Sequence, residues 1–454
     1  MYRIVPRSLI VKLGWTTTSY GVQQVLRLVN NVVLARLLAP SLFGVMILVN
    51  SIRTGIELLS DIGINQQVIR HEKGDTPVFY DTAWTLQMIR GLALGTACFF
   101  LSGTIARILG VPELAKILPM ASLFFLFVGL ESTGRLLLNR RLDVARISQF
   151  EMGIAAASVV THIVLALITP TIWGLMLASV FNNAVILVCT FVMVPGIRHR
   201  LILDRATLRE LLVFGRWIFI SSMIYFASMN FDRLYFARHI SLAQLGMFGI
   251  ARTLSDAISL AFAHSCNLIL FPYVAGLRQS AAEVRNKLRK GRRHLLFAAA
   301  LGLAAFAAVS DLIVGLLYDP RYAEAGTILP VLVVGTWFAV LSEINNAILF
   351  GMGHLKLAAG ANAAKLLTFL VGVPLALANG GFQAAILVLS AGELMRYLSM
   401  WSTSRREGLG FARDDLPLTI LFFAAILGFR SLFAALGLTS GIAGLFPLLG
   451  ALAR

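Results

Sequence analysis

The chain has 454 residues, 58% of them hydrophobic and only 13% charged, with a formal net charge of +17. Soluble domains run near a quarter charged, so this composition excludes a soluble globular protein and points to a polytopic membrane protein. The basic residues lie in short loops between apolar runs rather than on one soluble face, which excludes nucleic acid as the reason for the charge.

Apolar runs near the ~20 residues that a bilayer requires predict spans over 13–37, 42–69, 82–106, 114–138, 147–168, 171–194, 209–237, 243–271, 293–317, 325–350, 355–378, 382–402, 416–437 and 439–453. The first run opens with Thr16, Thr17, Thr18 and Ser19. It is too long and too polar for a cleavable signal and is taken as a span. All spans are expected to be helices, because open strand edges are not viable in lipid. The expected fold class is therefore all-α integral membrane, with about 14 transmembrane helices. The last run is short, and a re-entrant segment is its alternative.

Helix 1 carries a polar stripe of Thr16, Tyr20, Gln23, Arg27 and Asn30, all on one face by helical spacing. Such a face is either a cavity wall or a polar seam against another helix. Helix 2 carries Asn50, Arg53, Glu57 and Asp61, and helix 8 carries Arg252, Asp256 and Ser259. Arg53–Glu57 and Arg252–Asp256 have the i,i+4 spacing of facing pairs. Each is either a neutralising pair or a relay in which the Arg exchanges its acid for an anionic substrate. Glu57, Asp61 and Asp256 are candidates to bind a coupling cation. Helix 3 contributes Arg90 beside Gln87 and Trp84, and Glu131, Glu343 and Glu393 are further acids within spans. His162 and His264 fit hydrogen-bonded packing better than proton carriage.

Nine cations in all fall within spans: Arg27, Arg53, Arg90, Arg216, Arg233, Arg252, Lys365, Arg396 and Arg430. Each costs roughly 2.5–3.5 kcal/mol at a helix centre on insertion scales. A load of this size points to a cationic interior and an anionic passenger.

With the N-terminus in the cytoplasm, only Arg36, Arg107, Lys116, Arg238 and Arg321 fall in outer loops, against most of the 39 Lys and Arg inside. This asymmetry places both termini in the cytoplasm. The basic stretch Arg278–Arg293 reads as a topological anchor that meets anionic headgroups. An internal repeat is visible at an offset of 202: ARLLAPSLFG (35–44) against ARHISLAQLG (237–246), Trp15 against Trp217, and Asn30 against Asp232. A similar echo links the regions of Pro119 and Pro330. The expected organisation is 1–200 (helices 1–6), 201–405 (helices 7–12) and a hairpin at 406–454 (helices 13–14). Six spans per copy make the repeat parallel, with its axis along the membrane normal.

Cys98, Cys189 and Cys266 fall in apolar stretches and read as core hydrophobes rather than a disulfide framework. No P-loop, HExxH, GxSxG or Cys/His metal spacing occurs. No catalytic residue, metal ligand or cofactor is therefore assigned, and a transporter is favoured over an enzyme. A membrane-embedded polysaccharide polymerase or ligase is the less favoured reading, because the outer loops are short.

The stretch LARLLAPSLFGVMILVNSIRTGIELLSDIGINQQVIR (34–70) resembles the second-helix signature of bacterial polysaccharide transporters. FDRLYFARHISLAQLGMFGIA (231–251), followed by ILFPYVAGL (269–277), resembles their seventh- and eighth-helix signature. The chain thus resembles the Wzx-type branch of the multidrug/oligosaccharidyl-lipid/polysaccharide exporter superfamily over most of its length. The resemblance implies two pseudo-symmetric six-helix bundles in a V around a central cavity, plus the short C-terminal pair. It implies flipping of an undecaprenyl-pyrophosphate-linked oligosaccharide from the cytoplasmic to the periplasmic leaflet of the bacterial inner membrane. It also implies cavity roles for Arg27, Arg53 and Arg252; the stripe of helix 1 adds Tyr20, Gln23 and Asn30, and Arg90 of helix 3 joins the cavity candidates. Tyr225 and Asn230 join the sugar-binding candidates. Energy would come from an H+ or Na+ gradient, the membrane potential or substrate consumption outside. A polysaccharide polymerase or export machinery is an expected partner, together with membrane lipids. A lipid II flippase and an ion-coupled multidrug antiporter of the same superfamily are the alternatives.

Overall fold

The computed structural model describes residues 7–141, 143–194, 199–277 and 280–439. Among them every regular element is helical. In chain order these are α1 (Arg7–Leu37), α2 (Pro40–Leu58), α3 (Ile64–Arg70), α4 (Pro77–Leu109), α5 (Leu114–Ala121), α6 (Leu123–Leu130), α7 (Gly134–Arg140), α8 (Val144–Ile168) and α9 (Ile172–Val192). They continue with α10 (Arg205–His239), α11 (Leu242–Ser265), a π turn (Cys266–Leu270), α12 (Phe271–Leu277), α13 (Ala281–Ala308), α14 (Ser310–Leu317), a 3-10 turn (Pro320–Tyr322), α15 (Glu324–Gly351), α16 (Leu355–Arg406) and α17 (Ala412–Ala435). Eight helices among the described residues are long and apolar enough to cross a bilayer, or ten if each bent pair is one span. The protein is a multi-span, all-helical membrane protein.

Helices α1 and α10 have 31 and 35 residues, enough to cross, but are more polar. α16 runs 52 residues and contains Gly381 in the left-handed region (φ 71), so it accounts for two expected spans. Of the expected last span, 439–453, all but Thr439 lies outside the described residues.

Three expected spans differ in form. The run 42–69 breaks after Leu58, where the Asp61 carboxylate accepts from the Gly63 amide at 2.8 Å and Gly63 turns left-handed (φ 69). An Asp–x–Gly turn outcompetes helix continuation because Gly takes positive φ without a Cβ penalty. The run 114–138 divides into α5, α6 and α7, with a 53° bend before α7. The run 293–317 begins earlier, at Ala281. There Ser280 and Glu283 form a capping box, which starts the helix in a charged segment that hydropathy reads as loop. That helix then bends by 62° into α14.

Two helix junctions keep the sequence offset. α1 ends at Leu37 and α10 at His239, and α2 starts at Pro40 and α11 at Leu242. Both junctions keep the offset of 202 seen in the sequence. Pro119 lies inside α5 and Pro330 inside α15.

By packing, the chain forms two compact units, Met1–Leu245 and Gly246–Arg454. The repeat concerns chain order and the units concern contacts, so the two divisions need not coincide. In the first unit α10 packs on α2 and α3. A Cβ on Gly55 would strike the Phe226 ring, one on Gly215 would strike Ile62, and Gln67 Nε2 donates to the Leu211 carbonyl at 2.9 Å. α4 crosses α6 where Gly91 meets Gly129 backbone to backbone, the small-residue contact that lets membrane helices approach. In the second unit α15 is enclosed almost all round. Its Trp337 is fully buried, donates to Thr419 Oγ1 at 3.0 Å and stacks on Phe422. A helix whose apolar residues lie all round it belongs in such a core, with its few polar residues bonded to neighbours.

Candidate functional site

The polar stripe of α1 splits between two roles. Ser19 is buried and donates to the Ser148 carbonyl on α8, and Gln23 Nε2 donates to Ser19 Oγ at 3.0 Å and to Glu151 Oε2 at 3.3 Å. This part is a seam between α1 and α8. Tyr20 and Asn30 are half-buried, and the Asn30 Oδ1 has no hydrogen-bond partner among the described residues. Arg27, one turn away, is exposed and makes no ion pair among the described residues.

On α2 the expected Arg53–Glu57 pair does not form. The Arg53 guanidinium instead stands 4.2 Å over the ring of Phe124 on α6, and its buried Nε has no partner among the described residues. A cation over an aromatic face is held by the ring quadrupole, and its N–H groups stay available. Arg90 is spent differently. It donates to the Glu57 carbonyl at 2.7 Å and to Ser60 Oγ at 3.0 and 3.1 Å. It thereby caps the carbonyl end of α2, a stabilising place for a cation. Asp61 forms the turn at Gly63. His162 spans α8 and α9 through Ser158 and Ser179, as a packing residue does.

In the second unit the expected Arg252–Asp256 pair does form, at 3.1 Å. It belongs to a larger buried cluster. Lys365 donates to Glu393, Arg396 Nη2 donates to Glu343 at 2.7 Å, and Arg396 Nη1 lies 3.8 Å from Glu393. Lys365 is 2% exposed. Arg252, Ser255, Asp256, Thr336 and Glu393 line one small cavity, and Ser255 and Thr336 join their hydroxyls at 2.6 Å. Arg430, fully buried, forks onto Asp311 with two 2.7 Å bonds and onto the Ala308 carbonyl at 2.8 Å. Several of the span cations are thus neutralised within the protein. Arg27 and Arg53 differ from them in making no ion pair among the described residues. Asn230 is buried and donates to the Phe226 carbonyl at 3.4 Å, while the side chains of Arg216 and Tyr225 lie outside the described residues. Among the described residues no His, Cys, Asp and Glu cluster is suited to a metal ion.

One polar centre is absent from the sequence reading. His199 has a side chain 2% exposed, pairs with Asp81 at 3.3 Å, meets Ser132 Oγ at 2.8 Å and stacks on Trp84. It docks the segment before α10 onto α4, where Thr82 and Thr85 accept from the Asp204 and Ile202 amides. Nothing in the spacing of a lone loop His signals this. Burial pushes the His199 pKa below its ordinary value, against the opposing pull of Asp81. An unfolded imidazole takes a proton near pH 6.5, so acid favours the unfolded chain. Thermal unfolding in detergent should show stability present above about pH 6.5 and lost as pH falls through the lower folded value. His199→Gln should flatten that part of the profile.

Against known proteins, residues 33–326 match the family described as polysaccharide biosynthesis protein. The lipopolysaccharide biosynthesis protein WzxC of Escherichia coli (strain K12) is 26% identical over 331 residues, covering 71% of this chain and 65% of that protein. The succinoglycan biosynthesis transport protein ExoT of Rhizobium meliloti (strain 1021) is 22% identical over 263 residues, covering 57% of this chain and 52% of that protein. The matched regions thus span between half and two thirds of these curated relatives. Among solved structures, the lipid II flippase MurJ in an inward closed conformation superposes with a TM-score of 0.76 at 13% identity, over 98% of this chain and 96% of that one. An inward-facing multidrug resistance MATE family transporter of the MOP superfamily gives 0.64 at 15% identity, over 85% and 95%. At such identities these two establish the fold alone, in agreement with the resemblance read from residues 34–70 and 231–251. With the family match extending from the end of α1 into α15, the chain belongs to this family of polysaccharide biosynthesis proteins.

Proposed function

We propose that the chain is a flippase, not an enzyme, for undecaprenyl-pyrophosphate-linked oligosaccharide repeat units in exopolysaccharide, capsule or O-antigen assembly. It carries them from the cytoplasmic to the periplasmic leaflet of the bacterial inner membrane by alternating access of the halves 1–200 and 201–405. The observation that carries this reading is Arg53, an intramembrane cation held on Phe124 with no ion pair among the described residues. A charge kept in a membrane helix without an acid is costly unless an anion meets it. The guanidinium fork matches phosphate geometry. Arg27 supplies a second such cation, and Arg252 a third that can leave Asp256 for the pyrophosphate. Tyr20, Asn30 and the neighbouring polar groups offer partners to sugar hydroxyls. Coupling to an H+ or Na+ gradient is assigned to Glu57, Asp61 and Asp256, with Asp256 the best placed because its side chain is 31% exposed beside Arg252. A polymerase on the periplasmic side is the natural acceptor of the product.

The test is complementation. Expressed in a bacterium that lacks its own polysaccharide flippase, the chain should restore surface polysaccharide and leave resistance to organic cations unchanged. Resistance without polysaccharide would establish the multidrug antiporter instead, and rescue of a strain depleted of lipid II flippase would establish that passenger.

The orientation is tested separately. In a background free of native cysteines, Ser280→Cys should resist impermeant thiol reagents in intact cells and Asn379→Cys should react. Both positions are exposed in the structure. The reverse pattern would invert the assignment.

A further inference from the structure

Between the π turn, α12, α13 and α15 lies a cavity of about 490 Å3, within the size range of small-molecule sites. Its walls are apolar, including Phe262, Ile269, Tyr273, Leu295 and Ile348. Ile269, Tyr273 and Leu295 are 65%, 47% and 47% exposed, so the cavity opens to the protein surface through an apolar rim. The π turn widens the helix at this point, a feature often found at functional sites. One cation stands at the opening and another lies in the wall. Lys287 Nζ stands 5.9 Å over the Tyr273 ring. Buried Arg292 lines the cavity, with both terminal nitrogens on Asp415 and Asn345 and its Nε without a partner among the described residues. Arg285, Lys290 and Arg293 belong to the same basic end of α13.

We propose that this cavity binds one acyl chain of an anionic bilayer phospholipid, whose phosphate is held at the basic rim with Lys287 as its nearest cation. An apolar slot that opens beside Lys287, on the basic first half of α13, has the charge pattern of a membrane interface facing anionic headgroups. None of Arg27, Arg53 and Arg252 lines it, which separates it from the proposed transport site and favours a resident lipid over the passenger. Such a lipid site does not depend on what the chain transports.

The experiment follows the Tm of the purified full chain in neutral detergent. Three additives are titrated: phosphatidylglycerol, phosphatidylcholine with the same acyl chains, and undecaprenyl phosphate. Phosphatidylglycerol should give a saturable rise that the other two do not match. Lys287→Gln, at an exposed position, should weaken half-saturation by roughly tenfold, the value of one charge-assisted contact. Gly291→Leu should abolish the rise. A Cβ at Gly291 meets no protein atom within 4 Å, and Leu is the better helix former, so the lipid-free Tm should hold or increase. Equal stabilisation by both phospholipids, a full rise in Gly291→Leu, or a larger rise with undecaprenyl phosphate would each overturn the proposal.

Discussion

Glu393→Ala is expected to cost about 3–5 kcal/mol of stability, the penalty for stranding a buried charge. Glu393 receives Lys365 and stands 3.8 Å from Arg396. Without it the Lys365 amine, 2% exposed, is left buried without its acid, and Arg396 keeps only Glu343. That loss is a large share of the roughly 5–15 kcal/mol that holds a folded protein. Lys365→Met with Glu393→Leu should recover part of it, because replacing both members of a buried pair by apolar groups is far less costly than removing one. Arg289→Ala is the control. Arg289 pairs with Asp414 at 3.0 Å, but its side chain is 59% exposed, and surface pairs contribute about 0–1 kcal/mol. Denaturant unfolding in detergent would rank the variants, and a Glu393→Ala protein as stable as Arg289→Ala would refute the cluster's role.

Arg53→Ala should do the opposite: it should spare the fold and remove the function. No ion pair among the described residues is broken, and the lost contact with Phe124 is worth about 0.5–2 kcal/mol. If the guanidinium meets a pyrophosphate, its removal forfeits charge-assisted bonds of about 1.5–3 kcal/mol, a fall in flipping of roughly ten- to hundredfold. Arg53→Lys keeps the charge but not the fork and should fall between. Accumulated protein with surface polysaccharide lost is the expected pair of readouts. Arg252→Ala should lose surface polysaccharide and also lower accumulation without abolishing it, because it removes the 3.1 Å partner of Asp256.

These two contrasts also show what the sequence could tell. The helix junctions at Leu37–Pro40 and His239–Leu242 and the Arg252–Asp256 pair were readable because each is local or periodic. The pairs Lys365–Glu393, Arg396–Glu343 and Arg430–Asp311 join residues 28, 53 and 119 positions apart. Spacing on one helix cannot say which face of another helix it meets, so an excess of span cations read as a cationic interior when several were already neutralised. Arg53 shows the converse. Its i,i+4 acid was in place, yet the aromatic ring of Phe124 holds the guanidinium, and only tertiary packing decides that choice. The break at Asp61–Gly63 was legible as turn chemistry but was masked by the hydrophobic run around it. The docking of His199 on Asp81 and Trp84 left no periodic trace at all.

Whether Arg27, Arg53 and Arg252 read a lipid-linked pyrophosphate is answered by reconstitution in liposomes. A labelled polyprenyl-pyrophosphate oligosaccharide is supplied on one side, and its accessibility in the opposite leaflet is scored. We expect the unmodified chain to flip the glycolipid and Arg27→Ala, Arg53→Ala and Arg252→Ala each to slow it at least about tenfold. Arg27→Lys should slow it less than Arg27→Ala. Flipping by all three alanine variants at the unmodified rate would contradict the assignment.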